Sequence, residues 1–272
     1  MPVKFCLGLC LAALMVVVSA VNQAPADQVE RPPLSIFRDC DVCPELVVIP
    51  PGTFRMGSGY GGASELPIHT VNIKYSFAIG RAEVKVGEWK ACVADGACDE
   101  IASRYYNQPD NYPQEGPAQE LVRQYLKWLS DKTSQTYRLP SESEWEYAAR
   151  GGSNFHFWWG PKFKPNHANC ENCGPRTGEI LATPAGTYPA NPFGLYDVSG
   201  NLDEWTADCW NPTHEDAPTD GSPRRDGQCD INVIKGGSRG SGLKGIRTGY
   251  RSRIAESYSG TYHGLRVVRE LP

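Results

Sequence analysis

Short apolar runs separated by turn residues occupy the first third of the chain. Residues 46–49 are continuously apolar and precede Pro50-Pro51-Gly52, which predicts a strand, a turn and a second strand near 53–56. Residues 69–79 alternate between apolar and polar side chains, with Tyr75 on the apolar face, and predict one longer strand. This part of the chain is therefore expected to be rich in short strands.

Three segments carry apolar residues at helical spacing: residues 85–93, 118–133 and 141–150. The third has clear end signals, because Ser141 is followed three residues later by Glu144, the pattern of a capping box, and a pair of glycines ends it. Beyond this helix the pattern predicts short strands and long loops. We find no internal repeat.

Composition agrees with a loop-rich fold. The 272 residues suffice for one large domain or two small ones. The 28 glycines, 22 prolines, 7 tryptophans and 13 tyrosines favour loops held by aromatic packing over a helix bundle. The formal net charge of −4 comes without a block of like charge, so no nucleic-acid partner is expected.

The N-terminal segment has the pattern of an export signal. Lys4 precedes an apolar run at 5–18 that is too short for a membrane anchor, and small residues at 18–20 suit cleavage. A lipoprotein interpretation at Cys10 is disfavoured because Leu9 is too large and the position too early. We expect an exported protein, periplasmic or secreted, without membrane contact after cleavage. The expected division is a signal peptide at 1–20, a linker at 21–39 and one domain at 40–272.

Eight of the ten cysteines lie beyond the predicted signal, in what would be an oxidising compartment. They lie in close pairs, so pairing of neighbours is the simplest interpretation, although sequence alone does not determine the connectivity. Zinc binding by the two CxxC pairs is disfavoured because they lie far apart in the chain. The candidate pairs are Cys40 with Cys43, Cys92 with Cys98, Cys170 with Cys173, and Cys209 with Cys229.

Residues 191–205 combine a turn, aromatic side chains and carboxylates. Asp197 and Glu204 bracket the bend Ser199-Gly200-Asn201. Two carboxylates across a glycine bend can point at one centre, and hard cations take carboxylate and carbonyl oxygens together. A well-capped turn without a cation explains the same pattern, and both interpretations stay open at this point.

Several motifs occur in a specific order, and together they resemble the formylglycine-generating enzyme family, also called the sulfatase-modifying factor domain, over about residues 45–270. The motifs are Pro51-Gly-Thr-Phe-Arg-Met-Gly57, Glu83-Val84 with Glu88-Trp89, Tyr137-Arg-Leu-Pro-Ser-Glu-Ser-Glu-Trp-Glu-Tyr-Ala-Ala-Arg-Gly151, Asn191-Pro-Phe-Gly-Leu-Tyr-Asp197, Gly200-Asn201 with Glu204-Trp205, Lys235-Gly-Gly-Ser238 and Gly264-Leu-Arg266.

The resemblance implies an α+β fold: a single compact domain related to C-type lectins, with little regular secondary structure. It also implies structural calcium. The residues that match one calcium site of the family are Asp197, Gly200, Leu202 and Glu204. Asn169 and Cys170 match part of a second site, in which Gly178 stands where the family has an aspartate.

The resemblance weakens at the chemistry of the family. Its enzymes bind copper(I) through two cysteines shortly after Gly-Gly-Ser, and copper(I) requires soft sulfur ligands. The matching positions hold Ser241 and Ile246, and no cysteine follows Cys229. Copper is therefore not expected. Asp203 is a further departure, because the family has an aromatic residue there.

Two hypotheses of function remain. The first is a maturation or modifying factor for a periplasmic substrate, of a kind that family members lacking the cysteine pair provide; the second is a non-catalytic, lectin-like module that binds protein or glycan. The arginines near the C terminus could bind a carboxylate or phosphate, or pair with core acids. We expect a monomer whose partner is a protein or a small molecule. The candidate pocket residues are Ser238, Ser241, Arg247, Tyr250, Arg251 and Arg253.

Overall fold

A computed structural model describes residues 1–3, 31–101, 107–173 and 181–272. The predicted signal peptide, apart from its first three residues, and the first part of the predicted linker lie outside these ranges. No helix in the described ranges is both long and apolar enough to cross a membrane.

The described residues form three α-helices, one short 3₁₀ helix and eleven strands. The α-helices are α1 (Val86–Ala94), α2 (Gln119–Thr133) and α3 (Glu142–Arg150), and the 3₁₀ helix is Ala63–Glu65. The strands are β1 (Ile36–Phe37), β2 (Leu46–Ile49), β3 (Gly52–Met56), β4 (His69–Ile73), β5 (Phe77–Gly80), β6 (Tyr137–Arg138), β7 (Asp203–Trp210), β8 (Gln228–Lys235), β9 (Ser252–Ala255), β10 (His263–Gly264) and β11 (Val268–Glu270).

The strands form three sheets. A five-stranded sheet has the order β1-β2-β5-β11-β6, a four-stranded sheet has the order β10-β7-β8-β9, and β3 pairs with β4. The C-terminal strand β11 lies between β5 and β6, so the end of the chain joins two distant parts of the fold. In the four-stranded sheet, β10 runs parallel to β7, whereas β8 pairs antiparallel with β7 and β9.

Helix α3 lies at the centre of the fold and contacts β3, β7 and β8. The predicted capping box is present, because Ser141 Oγ accepts a hydrogen bond from the Glu144 N–H at 3.0 Å and the Glu144 carboxylate accepts one from the Ser141 N–H at 2.8 Å. All nine residues of the helix are buried. The indole of Trp145 donates to Glu204 Oε2 at 2.6 Å and so connects the helix to the predicted calcium corner.

The prediction of one strand over 69–79 is wrong. β4 and β5 are separate strands that belong to different sheets. Tyr75, which lies between them, is 38% exposed, and its hydroxyl donates to Glu144 Oε1. The alternation of apolar and polar residues continues from β4 into β5 because Phe77 is again apolar and buried. The sequence pattern therefore does not show that the chain passes from one sheet to another.

The folded domain begins before the predicted boundary at residue 40. Residues 31–39 were predicted as linker, but they belong to the same compact unit as the rest of the domain. β1 pairs antiparallel with β2, and the Leu34 N–H donates to the Val48 carbonyl at 2.8 Å. Main-chain hydrogen bonds make this proline-containing segment part of the folded domain, which its polar composition did not predict.

The structure joins the eight cysteines of the domain as neighbours. The disulfides are Cys40–Cys43, Cys92–Cys98, Cys170–Cys173 and Cys209–Cys229.

Candidate functional site

Asp203 and His263 lie opposite each other at the edge of the four-stranded sheet. They are register partners in β7 and β10, and the Asp203 N–H donates to the Tyr262 carbonyl at 2.8 Å. His263 Nδ1 lies 3.8 Å from Asp203 Oδ2, and the two side chains are 14% and 11% exposed. This nitrogen is buried and has no hydrogen-bond partner among the described residues.

The loop after β8 brings Ser238 to the same carboxylate. The Asp203 side chain accepts hydrogen bonds from the Ser238 hydroxyl and the Gly237 N–H. Ser241 closes this loop, because its hydroxyl oxygen accepts from the Ser238 N–H at 3.0 Å. Gly237 has a φ of +68°, which a residue with a side chain rarely adopts, so the tight approach of the loop depends on glycine.

Burial shifts the pKa values of the Asp203–His263 pair in opposite directions. Loss of water around the carboxyl, and secondarily the charge of Glu204, raises the pKa of Asp203 to about 7. Burial and the positive charge of Arg239 lower the pKa of His263 to about 4. At neutral pH the imidazole is therefore neutral, and the carboxyl gains or loses a proton easily.

The structure holds no thiol pair at the family's copper positions. Ile246 is fully buried and packs in a small core with Phe157 and Cys170. Ser241 is only partly buried and carries a hydroxyl instead of a thiol. Every cysteine in the part of the chain that the structure describes is in a disulfide. No soft ligand pair is therefore available beside Ser238 in these ranges.

The predicted pocket residues do not form one pocket. Arg251 is buried and donates to Glu142 Oε1 at 2.6 Å, so it pairs with a core acid. Arg253 is exposed and lies over the Trp210 ring at 5.1 Å. Neither guanidinium contacts Asp203, and the expectation that these arginines line a pocket beside Ser238 is wrong.

Arg247 and Tyr250 lie elsewhere. Arg247 forms a two-point ion pair with Glu65, with N–O distances of 2.7 and 2.8 Å, and its Nη1 also donates to Ser58 at 3.0 Å. Tyr250 lies beside it, with the Arg247 guanidinium 5.9 Å from its ring centre. Arg247 lines a cavity of about 380 Å³ whose lining does not include Ser238.

At the predicted calcium corner, Glu204 is occupied by a cation of the protein itself. Arg266 binds both of its oxygens, at 2.6 and 2.8 Å, and both side chains are fully buried. The indole of Trp145 donates to the same carboxylate. Asp197 and Gly200 both have positive φ, 57° and 89°, which makes the bend between them tight.

Two carboxylate oxygens near this corner are buried without a hydrogen-bond partner among the described residues: Asp197 Oδ1 and Glu83 Oε2. Burial, then the charges of Asp197 and Glu204, raises the pKa of Glu83 well above its ordinary value. Glu83 also accepts from the Leu202 N–H at 3.3 Å, so it faces the same bend. Sequence reasoning quoted Glu83 as part of a family motif and assigned it no role.

The side chains alone do not form a metal cage. Within the described ranges, no group of three or more His, Cys, Asp or Glu side chains is placed to hold a metal ion. A hard cation at Asp197 would therefore need carbonyl oxygens as well. Even so, the two unpaired oxygens suit a hard cation, because three carboxylates (Glu83, Asp197 and Glu204) face the single guanidinium of Arg266.

At the second predicted calcium site, the side-chain contacts of Asn169 and Cys170 involve the amide nitrogen and the sulfur, which are not the atoms that would bind calcium. The Asn169 amide donates to the Leu181 carbonyl at 3.0 Å and to Asn201 at 3.2 Å, while Cys170 is in a disulfide. Gly178, at the aspartate position of the family, lies outside the described residues.

Comparison with known proteins identifies the family. The chain matches the model of the sulfatase-modifying factor enzyme 1-like domain over residues 34–271 and belongs to that family. The solved structure of PvdO from Pseudomonas aeruginosa aligns with 89% of this chain and 100% of its own, with a TM-score of 0.79 and 35% identity. The domain therefore has the C-type-lectin-like fold that the motifs predicted.

Two curated relatives differ in their named activity. The formylglycine-generating enzyme of Mycobacterium tuberculosis is 29% identical over 232 residues, which covers 64% of this chain and 77% of that protein. A bovine relative, named inactive C-alpha-formylglycine-generating enzyme 2, is 28% identical and covers 63% of this chain and 73% of its own length. The family therefore contains members with the reaction and members named as lacking it.

Proposed function

We propose that this chain is a maturation or modifying factor for an exported substrate, and that it works by proton transfer at Asp203 instead of copper–thiolate chemistry. The observation that carries the proposal is the convergence of Asp203, His263 and Ser238 at one sheet edge, where the loop after β8 meets β10. Three different polar groups close together can accept, donate and position a proton.

The roles follow from the contacts. The Asp203 carboxylate takes a proton from the substrate, and Ser238 orients the carboxylate. His263 forms a further hydrogen bond with the reacting groups, as acceptor or donor. The 3.8 Å gap between His263 Nδ1 and Asp203 Oδ2 is longer than a hydrogen bond, as is common before a substrate brings catalytic groups together. A proton that leaves one substrate atom and returns to another requires no oxidant, so the expected reaction is one without a net change of oxidation state, such as an isomerisation.

The first prediction concerns the reaction of the family. Purified protein incubated with copper(I), oxygen and a cysteine-containing sulfatase peptide is expected to yield no formylglycine in the mass spectrum, because Ser241 and Ile246 cannot supply two thiolates. The M. tuberculosis relative in the same buffer is the positive control. Formylglycine formed by this chain at a comparable rate would contradict the proposal.

A non-catalytic binding module is the second candidate. The low exposure of Ser238, 3%, favours it, as does the bovine relative named inactive. The two candidates differ in the effect expected of replacing Asp203. A binding module still binds its partner after this change, unless the partner contacts Asp203. A catalyst loses turnover with the same change.

We also propose that calcium binds at Asp197 and Glu83 and has a structural role. The support is the pair of unpaired buried oxygens and the excess of carboxylates over guanidinium groups at this corner. Calcium binds carboxylate and carbonyl oxygens, and the main-chain carbonyl groups of the bend at 197–202 are near Asp197 in the chain. Calcium would neutralise the carboxylates at this corner and would take part in no chemical step.

Chelation tests the calcium proposal. Excess EGTA is expected to lower the melting temperature by roughly 5–10 °C, because a ligand bound only by the folded state stabilises it by a few kcal/mol. Asp197→Asn should remove most of this difference, whereas Asp226→Asn, at an exposed carboxylate, should leave it unchanged. If EGTA leaves the melting temperature of the wild-type protein unchanged, there is no calcium at this corner.

The export of the protein remains a proposal with one structural support. Four disulfides are typical of proteins that fold in an oxidising compartment and rare in cytosolic ones. The substrate would then be met in the periplasm or outside the cell.

A further inference from the structure

The cavity beside Arg247 is a concave site that shares no lining residue with the Asp203 site. It has a volume of about 380 Å³, within the range of small-molecule sites. Three arginines line it: Arg55, Arg150 and Arg247. Its aromatic lining comes from Tyr60, Phe155 and His156.

Two of the arginines are buried and held in place by acids. Arg247 binds Glu65 through both terminal nitrogens, and Arg150 binds Glu146 Oε1 at 2.6 and 3.0 Å. Each also donates to main-chain or hydroxyl oxygens, and in each case one of the five guanidinium hydrogens has no acceptor among the described residues. These two side chains are therefore rigid, nearly neutralised donors.

Arg55 differs from the other two. It lies on β3 and is exposed, and no carboxylate pairs with it in the described part of the chain. Arg247 is matched by Glu65, and Arg150 shares Glu146 with Lys235, so the positive charge at Arg55 has no carboxylate in the described ranges to balance it. His156 does not add to it, because burial, then the charges of Arg247 and Arg150, lowers the pKa of its imidazole.

The aromatic side chains offer flat apolar surface at the mouth. Tyr60 is 74% exposed and Phe155 is 54% exposed, and because both line the same cavity they form one accessible aromatic surface. The rings of Tyr60 and His156 pack edge to face with their centres 3.8 Å apart, so Tyr60 is held beside the cavity despite its exposure.

We propose that this cavity binds a small organic monoanion that carries a flat ring, with the carboxylate at Arg55 and the ring against Tyr60 and Phe155. A guanidinium binds a carboxylate through two parallel hydrogen bonds, and Arg55 is the cavity arginine that has no carboxylate partner in the described ranges. The site recognises a carboxylate on an aromatic ring, whether the ring belongs to a free acid or to the end of a larger molecule.

Benzoate is the probe that tests this site. Isothermal titration of the purified chain with benzoate at low salt is expected to give a Kd of about 1 mM or tighter. Benzamide, which has the same shape without the charge, should bind about tenfold more weakly. The affinity for benzoate should also fall as salt is added, because the pairing is electrostatic and partly exposed.

Two variants and a control locate the binding. Arg55→Gln should weaken benzoate binding about tenfold, and Tyr60→Ala should weaken benzoate and benzamide alike, because it removes the ring contact. Arg253→Gln, another exposed strand arginine outside the cavity, should bind benzoate as the wild type does. Equal binding of benzoate and benzamide, no effect of Arg55→Gln, or no binding at all would each overturn the proposal. None of these outcomes depends on Asp203, so this site can fail while the proposed reaction stands.

Discussion

Replacing Arg266 with methionine is expected to lower the free energy of unfolding by about 3–5 kcal/mol, because it leaves buried carboxylates without their cation. Arg266 binds both oxygens of Glu204 and also donates to the Gly80 and Tyr196 carbonyls. Chemical denaturation measured by circular dichroism gives the size of the loss. If the variant does not fold, it gives no native spectrum even at low denaturant, and this result agrees with the expected loss of stability.

A double variant separates loss of charge balance from loss of packing. Arg266→Met combined with Glu204→Gln should recover part of the stability, because the unpaired charge is removed along with its partner. Arg253→Met is the matched control, since that guanidinium is exposed, and should change stability little. A loss below about 1 kcal/mol for Arg266→Met would contradict the view that this pair holds the corner together.

Asp203→Asn is expected to make the protein more stable at pH 8, by about 2–4 kcal/mol, while leaving its stability near pH 4 almost unchanged. The sign follows from proton counts. The folded state raises the pKa of Asp203 from 3.8 to about 7, so between these values the folded protein holds a proton that the unfolded chain has lost. The contribution of this carboxyl to stability therefore falls as pH rises through that window.

The asparagine variant lacks this penalty and keeps an acceptor for Ser238. Denaturation at several pH values, taken as the difference between variant and wild type, isolates Asp203 from the other buried acids. Asp226→Asn serves as the control, because hydrogen bonds from Arg224 lower the pKa of that exposed carboxyl. A difference curve that is flat from pH 4 to 8 would show that Asp203 has an ordinary pKa, and would remove the support that the raised value gives to the proposed reaction.

A buried carboxyl that destabilises the fold at neutral pH is typical of a functional position. A core position at this sheet edge would be more stable with an apolar side chain. The aromatic residue that the family has at this position would meet that need, and the chain has an aspartate instead.

The local parts of the fold could be predicted because their signals are local. Helix α3 begins and ends within a residue of the prediction, since the capping box and the closing glycines lie inside the segment they define. The motif order predicted the family and the lectin-like fold for the same reason, since each motif is a contiguous run of residues.

The long-range pairings could not be predicted in this way. His263 reaches Asp203 only because β10 lies parallel to β7, and nothing within either strand indicates that register. Likewise, Arg266 meets Glu204 across 62 positions of sequence, and nothing near Glu204 in the chain indicates this ion pair. The departure of Asp203 from the family pattern was the one sequence signal that pointed to the site.

The arginines show a second limit of sequence reasoning. Arg247, Arg251 and Arg253 are close in the chain, and proximity suggested one pocket. In the structure Arg247 lines a cavity and Arg251 forms a buried ion pair, whereas Arg253 is exposed and lies over the Trp210 ring, which Arg251 also contacts. Arg55, the exposed arginine of the cavity, lies on a strand almost two hundred residues away from them.

The most direct test of the proton-transfer proposal compares the exported fraction of native host cells that carry the wild-type chain, Asp203→Asn or Arg253→Gln, by chromatography and mass spectrometry. A compound converted by wild-type and Arg253→Gln cells is expected to accumulate unconverted with Asp203→Asn, at equal amounts of folded protein. The expected fall in conversion is about 100-fold or more, the effect of removing a general acid or base. Conversion by Asp203→Asn at the wild-type rate would contradict the account.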